Sequence, residues 1–354
     1  MATATPSTAE WARHGEPARP HLLQCANVGT VVGGTGACAW TVTRALPGLR
    51  HTLGFFGAMA PETREVSRGV ALCRLGRLEP SLVRDLGADL VLLHYTPAHR
   101  VLAPLPAPSV LYLHSYQTAP APADLTIYCS GWLAERYGAD PRLVCHQGVP
   151  VPPPPTGSPP PLRGRDGVGE NRARRRGVGD LVVGRLCTPS GRKWPAWLPD
   201  FYRDLTRSAP TARWEFVGCP ESLHAELRRA CDGRARFHEA SWSARSHLWN
   251  WDVLCYSNPE LPESFGRVCA EAMRTGCVPV VDDQGGFREQ VEDGRSGFLC
   301  RSPAQFAAAL GRLEDPSLRR DLGAEACRRA DQQFSVTAFA RRLRRWMEVV
   351  VKVW

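Results

Sequence analysis

Two glutamates on either side of a predicted helix start are the residues of this chain best suited to bind a ligand together. Glu263 lies in an approach loop, and Glu271 follows it after seven intervening residues. Gly266 is predicted to begin the helix, which puts Glu271 roughly 7–8 Å further along the axis at ~1.5 Å per residue. One ligand the size of a diphosphate plus part of a ribose can therefore contact both carboxylates. The free N–H groups of a helix start also bind anions.

The residues around this pair predict loop, helix, strand and loop, in that order. Two prolines keep the lead-in extended, and Gly276 is placed to end the helix. The apolar run 278–281 predicts a strand that is covered on both faces, and Gly285 and Gly286 follow it. An acid near a helix start also has a plain structural role, because it favours the positive end of the helix dipole. The density of the motif favours ligand binding over that role.

A second candidate group is cationic. Of the 44 lysine and arginine residues only two are lysines, Lys193 and Lys352. Lys193 lies in the loop after a strand predicted at 181–184, with seven residues between it and Arg185. A compact ammonium at such a strand end is suited to bind phosphate, although a chance placement stays open. Arg192, beside it, is a competing candidate for the same role.

Two histidines and a glycine loop are predicted at the ends of other strands. His94 and His114 end neighbouring apolar runs, where ligands of parallel sheets bind, although a single strand-end histidine is more often structural. The loop after the first predicted strand contains Gly33 and Gly34, and residues 34–39 match the dinucleotide pattern Gly-x-Gly-x-x-Ala. The acidic residue expected about 20 positions later is missing, which disfavours a nicotinamide enzyme. The loop is either a phosphate cradle or a tight turn.

Short apolar runs alternate with helical stretches in both halves of the chain. This alternation predicts an α/β fold with two Rossmann-like, doubly wound domains that face each other across a cleft. The predicted division is a flexible tail at 1–20, a first domain at 21–150, a Pro/Arg-rich linker at 151–179, a second domain at 180–335 and a terminal helix at 336–354. Strands are predicted at 21–25, 52–56, 90–94, 110–114, 126–129, 143–146, 181–184, 214–218, 236–238, 253–256 and 278–282.

Composition narrows the class of protein without naming it. The 354 residues favour two domains, and no apolar run approaches the ~20 residues that cross a bilayer. Because the N-terminal stretch also lacks a secretory apolar region, we expect a cytoplasmic protein. Thirteen cysteines without a Cys-x-x-Cys pair indicate neither a disulfide framework nor a zinc motif. The net charge of +9 is concentrated in the linker, where a solvated charge run is favoured over contact with nucleic acid or anionic lipid.

The segment from Ser257 to Cys300 resembles the retaining, nucleotide-sugar-dependent glycosyltransferases of group four, which have the two-Rossmann architecture called GT-B. The resemblance is carried by Glu263-x7-Glu271, by the Pro-Val of the next strand, and by Gly285-Gly286-Phe-Arg-Glu289. It is dense in this segment and reduces to scattered landmarks elsewhere. One landmark departs from the family, because Gln147 stands where Asn is usual.

The resemblance implies roles for the candidate residues. Glu263 would bind hydroxyls of the transferred sugar, and Glu271 would bind those of the ribose. Arg185 and Lys193 would bind the donor phosphates, although the family spaces this pair by five residues and not seven. The resemblance also places His114 at the donor sugar and His94 near the acceptor cleft. The remaining donor-binding positions that it implies are Gly33, Gly34, Ser264, Phe265, Gly266, Gly285 and Gly286.

The implied activity is that of a hexosyltransferase in glycan biosynthesis. A UDP- or GDP-sugar would donate a hexosyl unit, with retention, to a sugar, lipid-linked or other hydroxyl acceptor. The chain contains no Asp-x-Asp tripeptide, so we expect a metal-independent site with no cofactor beyond the donor substrate and no nucleic-acid partner.

The terminal helix of such an enzyme braces the N-domain, and a rival interpretation of this helix is peripheral contact with a membrane. The alternative to an enzyme is a non-catalytic, sugar-nucleotide- or glycan-binding relative. It is suggested by the short N-domain and the two departures from the motif.

Overall fold

The computed structural model describes residues 19–155 and 181–351. Most of the predicted tail and linker, including the basic cluster of the linker, lies outside the described residues. The first described stretch forms a parallel six-stranded sheet with the order β3-β2-β1-β4-β5-β6. Its strands are β1 (His21–Ala26), β2 (Arg50–Phe55), β3 (Ala71–Arg74), β4 (Leu90–His94), β5 (Ser109–Leu113) and β6 (Leu125–Tyr128).

The second stretch forms another parallel six-stranded sheet, with the order β12-β11-β10-β7-β8-β9. Its strands are β7 (Val182–Leu186), β8 (Arg213–Val217), β9 (Ala235–His238), β10 (Val253–Tyr256), β11 (Val278–Asp282) and β12 (Phe298–Cys300). Every pairing in both sheets is parallel, as expected when helices connect successive strands.

The helices connect the strands and cover the sheets. Those of the first stretch are α1 (Gly34–Ala45), α2 (Pro61–Val66), α3 (Pro80–Asp85) and α4 (Gly131–Arg136). Those of the second are α5 (Leu198–Ser208), α6 (His224–Ala230), α7 (Arg267–Arg274), α8 (Phe287–Gln290), α9 (Pro303–Arg312), α10 (Pro316–Phe334) and α11 (Val336–Val350). Short 3-10 segments at Gly191–Lys193 and Ser243–Trp249 follow β7 and β9.

Both sheets have the strand order of a Rossmann fold. The order reverses between β1 and β4 in the first sheet and between β7 and β10 in the second. At each reversal the two following loops leave in opposite directions, which opens a crevice at the carboxyl ends of the strands. The predicted fold class is therefore confirmed. Ligands of such folds bind in these two crevices.

The terminal helix packs onto the first sheet. Phe339 of α11 stacks on Tyr112 of β5 with 6.3 Å between the ring centroids. A Cβ added to Gly148 would lie 2.5 Å from the Cβ of Phe339, so only glycine permits this approach. Phe339 and Leu343 are buried, so this face of the helix packs against protein.

No helix of residues 19–155 and 181–351 is both long and apolar enough to cross a membrane.

One predicted strand is not a strand in the structure, and two short strands are additional to those predicted. The predicted strand at 143–146 is only a single bridge between Val144 and Tyr128, because the chain contacts β6 at one position and then turns away. The edge strands β3 and β12 were not predicted. They have four and three residues. No residue of β3 is fully buried, and the apolar run of β12 is too short to be recognised as a strand.

Candidate functional site

Lys193 and Glu263 meet at the crevice of the second sheet. Lys193 follows β7 and Glu263 follows β10, the two strands between which the order reverses. The Nζ of Lys193 forms an ion pair and hydrogen bond with Oε1 of Glu263. Tyr256, the last residue of β10, donates its hydroxyl to the same oxygen at 2.6 Å. The side chains of Lys193 and Glu263 are 20% and 17% exposed, so a ligand can reach both.

Arg185 lies beneath this pair and does not face the crevice. It is fully buried in β7, with its guanidinium carbon 4.3 Å from the ring centroid of Tyr256. It donates to the carbonyl oxygens of Ser257 at 3.1 Å and of Lys193 at 2.8 Å. The resemblance implied a phosphate contact for Arg185. The structure instead places its donors on the backbone of the two loops that carry Lys193 and Glu263.

Glycines hold the loop that contains Glu263. The N–H of Gly286 donates to the carbonyl of Glu263 at 2.8 Å, and a Cβ on Gly285 would lie 2.4 Å from the same oxygen. Gly266 precedes the first residue of α7 with φ of 78°, in the left-handed region that favours glycine. The predicted donor-binding residues Ser264 and Phe265 lie in this loop, and a Cβ on Gly286 would meet both of their backbones. Close packing between the two glycine-containing loops thus fixes the position of Glu263.

Glu271 lies on α7 in a buried group of charges. It is 2% exposed, and its carboxylate is 3.3 Å from Nε of Arg245 and 3.5 Å from Nη2 of Arg267. Its Oε1 is buried and accepts no hydrogen bond from any residue that the structure describes. That oxygen therefore has capacity for a further donor, such as a hydroxyl.

The two arginines beside Glu271 also contact the first domain. Arg245 donates to the carbonyl of Val32 at 3.3 Å. Arg267 donates to Thr41 Oγ1 of α1 at 3.3 Å and to the carbonyl of Gly148 at 2.9 Å. Gly33 and Gly34, the residues at the start of α1, lie at the same place. A Cβ on Gly34 would be 3.7 Å from the Cδ of Arg267. The predicted glycine loop and the helix that carries Glu271 are therefore brought together between the domains.

His94 and His114 form a buried pair at the carboxyl end of the first sheet. The Nδ1 of His94 is 3.3 Å from the Nε2 of His114. Burial lowers the pKa of His94 to about 3. Burial, followed by the nearby His94 and Arg267, holds the pKa of His114 well below its ordinary value. Both imidazoles are therefore neutral at pH 7, and His114 lies within the electrostatic reach of Arg267 at the domain boundary.

Glu289, the last residue of the Gly-Gly-Phe-Arg-Glu motif, caps a helix of the other domain. It accepts from the N–H groups of Gly131 and Trp132 at the start of α4, each at 2.9 Å. It also contacts Nε2 of His146 at 2.6 Å. Burial alone would raise the pKa of Glu289, but the hydrogen bonds from His146, Trp132 and Gly131 bring it below the ordinary value. This glutamate stabilises the contact between the domains.

Two groups of side chains have donor atoms close enough together to hold a metal ion. One consists of Cys38, His94 and His114, and the other of Glu215, His238 and His247. Within the described ranges, neither group includes Glu263 or Glu271.

The fold and this site define a class of protein. Two Rossmann-type sheets are the architecture that the resemblance to GT-B glycosyltransferases implies. Residues 180–315 match the family model described as Glycosyl transferases group 1. The resemblance to glycosyltransferases found in the sequence is therefore confirmed over these residues.

Curated glycosyltransferases are similar to this chain over about half of their own length. The chain is 30% identical over 284 residues to a D-inositol 3-phosphate glycosyltransferase of Thermomonospora curvata, which covers 79% of this chain and 50% of the relative. It is 29% identical over 222 residues to the protein of the same name from Streptomyces bingchenggensis, covering 56% of this chain and 46% of the relative. The chain thus spans about half the length of these relatives.

A solved structure supports the fold over nearly the whole chain. Anabaena Alr3699/HepE in complex with UDP-glucose superposes with a TM-score of 0.70, covering 93% of this chain and 99% of that one. The sequence identity is 19%, so this similarity shows the GT-B fold alone.

Proposed function

We propose that this chain is a retaining hexosyltransferase that uses a nucleotide-diphosphate sugar and needs no divalent metal. The observation that carries the proposal is the group formed by Lys193, Glu263 and Tyr256 at the crevice of the second sheet. It combines a cation for the leaving phosphate with a carboxylate for sugar hydroxyls, on two loops that the topology brings together. The neighbouring start of α7 adds free N–H groups that favour an anion.

The chemical difficulty of the reaction is the negative charge that develops on the leaving diphosphate. Preorganised cations and N–H groups that stabilise such charge usually give the largest catalytic contribution. We propose that Lys193 contacts the phosphates directly. Arg185 would act indirectly. Its guanidinium donates hydrogen bonds to the carbonyls of Lys193 and Ser257, and its charge is buried beneath the same loops. Arg185 is thus proposed as a positioning residue and not as a phosphate ligand.

The carboxylate of Glu263 is proposed to bind hydroxyls of the transferred sugar. Tyr256 and Lys193 both direct hydrogen bonds to its Oε1, which leaves Oε2 for the substrate. Burial, followed by the charge of Glu263, holds the pKa of Tyr256 well above its ordinary value, so the phenol stays a donor to the carboxylate. Glu271 would bind the ribose through its Oε1, which accepts no hydrogen bond from the described residues. We assign no enzymic nucleophile, and retention would follow from attack on the same face of the sugar.

We propose the chemical class of the sugar donor and of the hydroxyl acceptor. The superposed structure holds UDP-glucose, so UDP-glucose is the first donor to test, with a GDP-sugar as the competitor. The curated relatives are named for D-inositol 3-phosphate, which makes a phosphorylated polyol the first acceptor to test, before glycan and lipid-linked hydroxyls. His94 is proposed to lie on the acceptor side of the cleft. Cytoplasmic location and peripheral membrane contact stay part of this proposal.

The decisive experiment measures sugar transfer from the donor for Glu263→Gln and Lys193→Met. Each should lower kcat/KM by on the order of 100-fold or more, since each removes a charge at the reacting centre. Glu260→Gln is the matched control, because Glu260 is exposed on the same loop. Arg192→Met tests the competing cation, whose side chain is also exposed. Unchanged rates in both Glu263→Gln and Lys193→Met would refute the site.

Two further measurements separate the proposal from its alternatives. Turnover should survive a chelator, and its loss with restoration by a divalent ion would contradict the metal-free site. Thermal stabilisation by a sugar nucleotide without any transfer or donor hydrolysis would instead support a non-catalytic binding protein.

A further inference from the structure

A row of polar side chains crosses the buried first sheet. Gln24 of β1 is fully buried, and it contacts His51 of β2 on one side and His94 of β4 on the other. His94 in turn contacts His114, which follows β5. Three of these residues lie on β2, β1 and β4, and His114 directly follows β5, the next strand in the sheet order β2-β1-β4-β5. The sequence alone indicates a site at His94 and His114 but no role for Gln24 or His51.

The strand register explains why these side chains meet. His51 pairs with Leu22, and Gln24 is two residues beyond Leu22 on β1. Gln24 pairs with Leu92, and His94 is two residues beyond that. His94 pairs with Tyr112, and His114 is again two residues further. A step of two residues stays on the same face of a sheet, so the row runs diagonally on one face towards the carboxyl ends of the strands.

The hydrogen bonds of this row have only one consistent direction. The Nε2 of His51 is 2.8 Å from the carbonyl of Leu46, which can only accept, so this nitrogen carries a proton. A neutral imidazole has one donor and one acceptor, so Nδ1 of His51 accepts from the amide nitrogen of Gln24 at 3.3 Å. The amide oxygen of Gln24 then accepts from Nε2 of His94 at 2.9 Å.

The hydrogen bonds keep the same direction from His94 to His114, the end of the row. With its proton on Nε2, His94 has a lone pair on Nδ1, which accepts from Nε2 of His114 at 3.3 Å. The proton of His114 is therefore on Nε2, and its Nδ1 carries a lone pair. That Nδ1 is buried and has no hydrogen-bond partner in the part of the chain that the structure describes. Burial lowers the pKa of His51 as it does those of the other two histidines, which keeps the whole row neutral.

We infer that Gln24, His51 and His94 are positioning residues that hold His114 with a bare Nδ1, which accepts a hydrogen bond from a substrate hydroxyl. This use rests on the function proposed above. The consequence is a specificity rule, because a lone pair at this position binds a hydroxyl or other donor. A phosphate or carboxylate oxygen, which brings only lone pairs, is rejected there. The row thus favours a sugar hydroxyl at His114 and leaves the anionic part of the substrate to Lys193 and α7.

The tautomers are tested directly by ¹⁵N–¹H correlation spectra of the histidine rings in the full chain, without substrate. Single histidine substitutions supply the assignments. The expected result is Nε2 protonated and Nδ1 bare at His51, His94 and His114. A proton on Nδ1 of His114, or an imidazolium there, would overturn the inference. So would a stoichiometric metal ion shared by Cys38, His94 and His114, because ligation by Nε2 moves the proton of His114 to Nδ1.

His51→Leu tests the direction of the row from its far end. Without His51 the amide of Gln24 is free to turn, so His114 should show a mixture of tautomers. The value of kcat/KM should fall by on the order of tenfold, as for the loss of one hydrogen bond to substrate. His99→Leu is the matched control, since His99 is exposed on the same domain.

An unchanged ring spectrum in His51→Leu would contradict the inference even if the variant loses activity. The tautomer measurement needs no substrate. A bare Nδ1 in a chain without transferase activity would therefore uphold the row and reject the proposed function, so the two failures are distinguishable.

Discussion

Acid should destabilise the folded chain through the buried His94. In the folded state its pKa is about 3, because burial disfavours the imidazolium, whereas an unfolded chain has the ordinary value of 6.5. As the pH falls below 6.5, His94 becomes protonated in the unfolded chain but stays neutral in the folded chain. Stability is therefore fully present above 6.5 and is lost progressively down to about pH 3.

The size of this effect follows from the two pKa values. A difference of one pKa unit corresponds to ~1.4 kcal/mol, and from pH 7.5 to 5.5 the unfolded chain gains nearly one proton at His94. The free energy of unfolding should therefore fall by about 1.4 kcal/mol over this range from His94 alone. His114 contributes in the same direction, because its pKa is also lowered by burial.

The assay is urea denaturation at pH 7.5, 6.5 and 5.5 for the parent chain, His94→Gln and His99→Gln. Glutamine keeps a donor and an acceptor at position 94 but takes up no proton. We expect His94→Gln to lose about 1.4 kcal/mol less than the parent chain between pH 7.5 and 5.5. His99→Gln, at an exposed position, should keep the parental pH dependence. If the free energies of unfolding of His94→Gln and the parent chain change equally with pH, His94 is not the cause of the acid destabilisation.

Three further substitutions test separate contacts. Tyr256→Phe removes a hydrogen bond to Glu263 and should lower kcat/KM by on the order of tenfold; steady-state kinetics on the folded variant decides this. Glu289→Gln weakens the charge-assisted cap on α4 and should cost about 1–2 kcal/mol in urea denaturation at pH 7, less at low pH as the glutamate is protonated. Gly266→Ala places a Cβ 2.3 Å from the ring of Phe287 at φ of 78° and should cost about 1–3 kcal/mol, so an unchanged midpoint would contradict the packing.

Much of the fold is predictable because most strands are buried on both faces. β4 and β10 have the predicted bounds, since each is an uninterrupted apolar run that ends at a polar or aromatic residue facing the crevice. The edge strands β3 and β12 give a weaker signal. No residue of β3 is fully buried, and β12 has only three residues.

The site was predictable where the motif lies in one segment and less so where the fold brings distant residues together. Glu263 and Lys193 were identified from their loops, but nothing in their spacing predicts the hydrogen bond from Tyr256. The resemblance implied a phosphate contact for Arg185. In the structure Arg185 lies within β7, and its guanidinium packs between the rings of Tyr256 and Trp194. One signal was overlooked, since Gln24 is a lone amide in the otherwise apolar end of a buried strand and needs buried partners.

The buried charges between the domains support an anionic substrate by their imbalance. Arg245 and Arg267 both pair with Glu271, so two guanidinium groups face one carboxylate, at the positive end of α7. The neighbouring His114 is neutral and adds no further positive charge. An excess of buried positive charge is costly unless a counter-ion neutralises it. A diphosphate would supply the missing negative charge at this place. Because Arg267 also binds Thr41 and Gly148, a ligand that draws on this arginine would couple its own binding to the contact between the two domains.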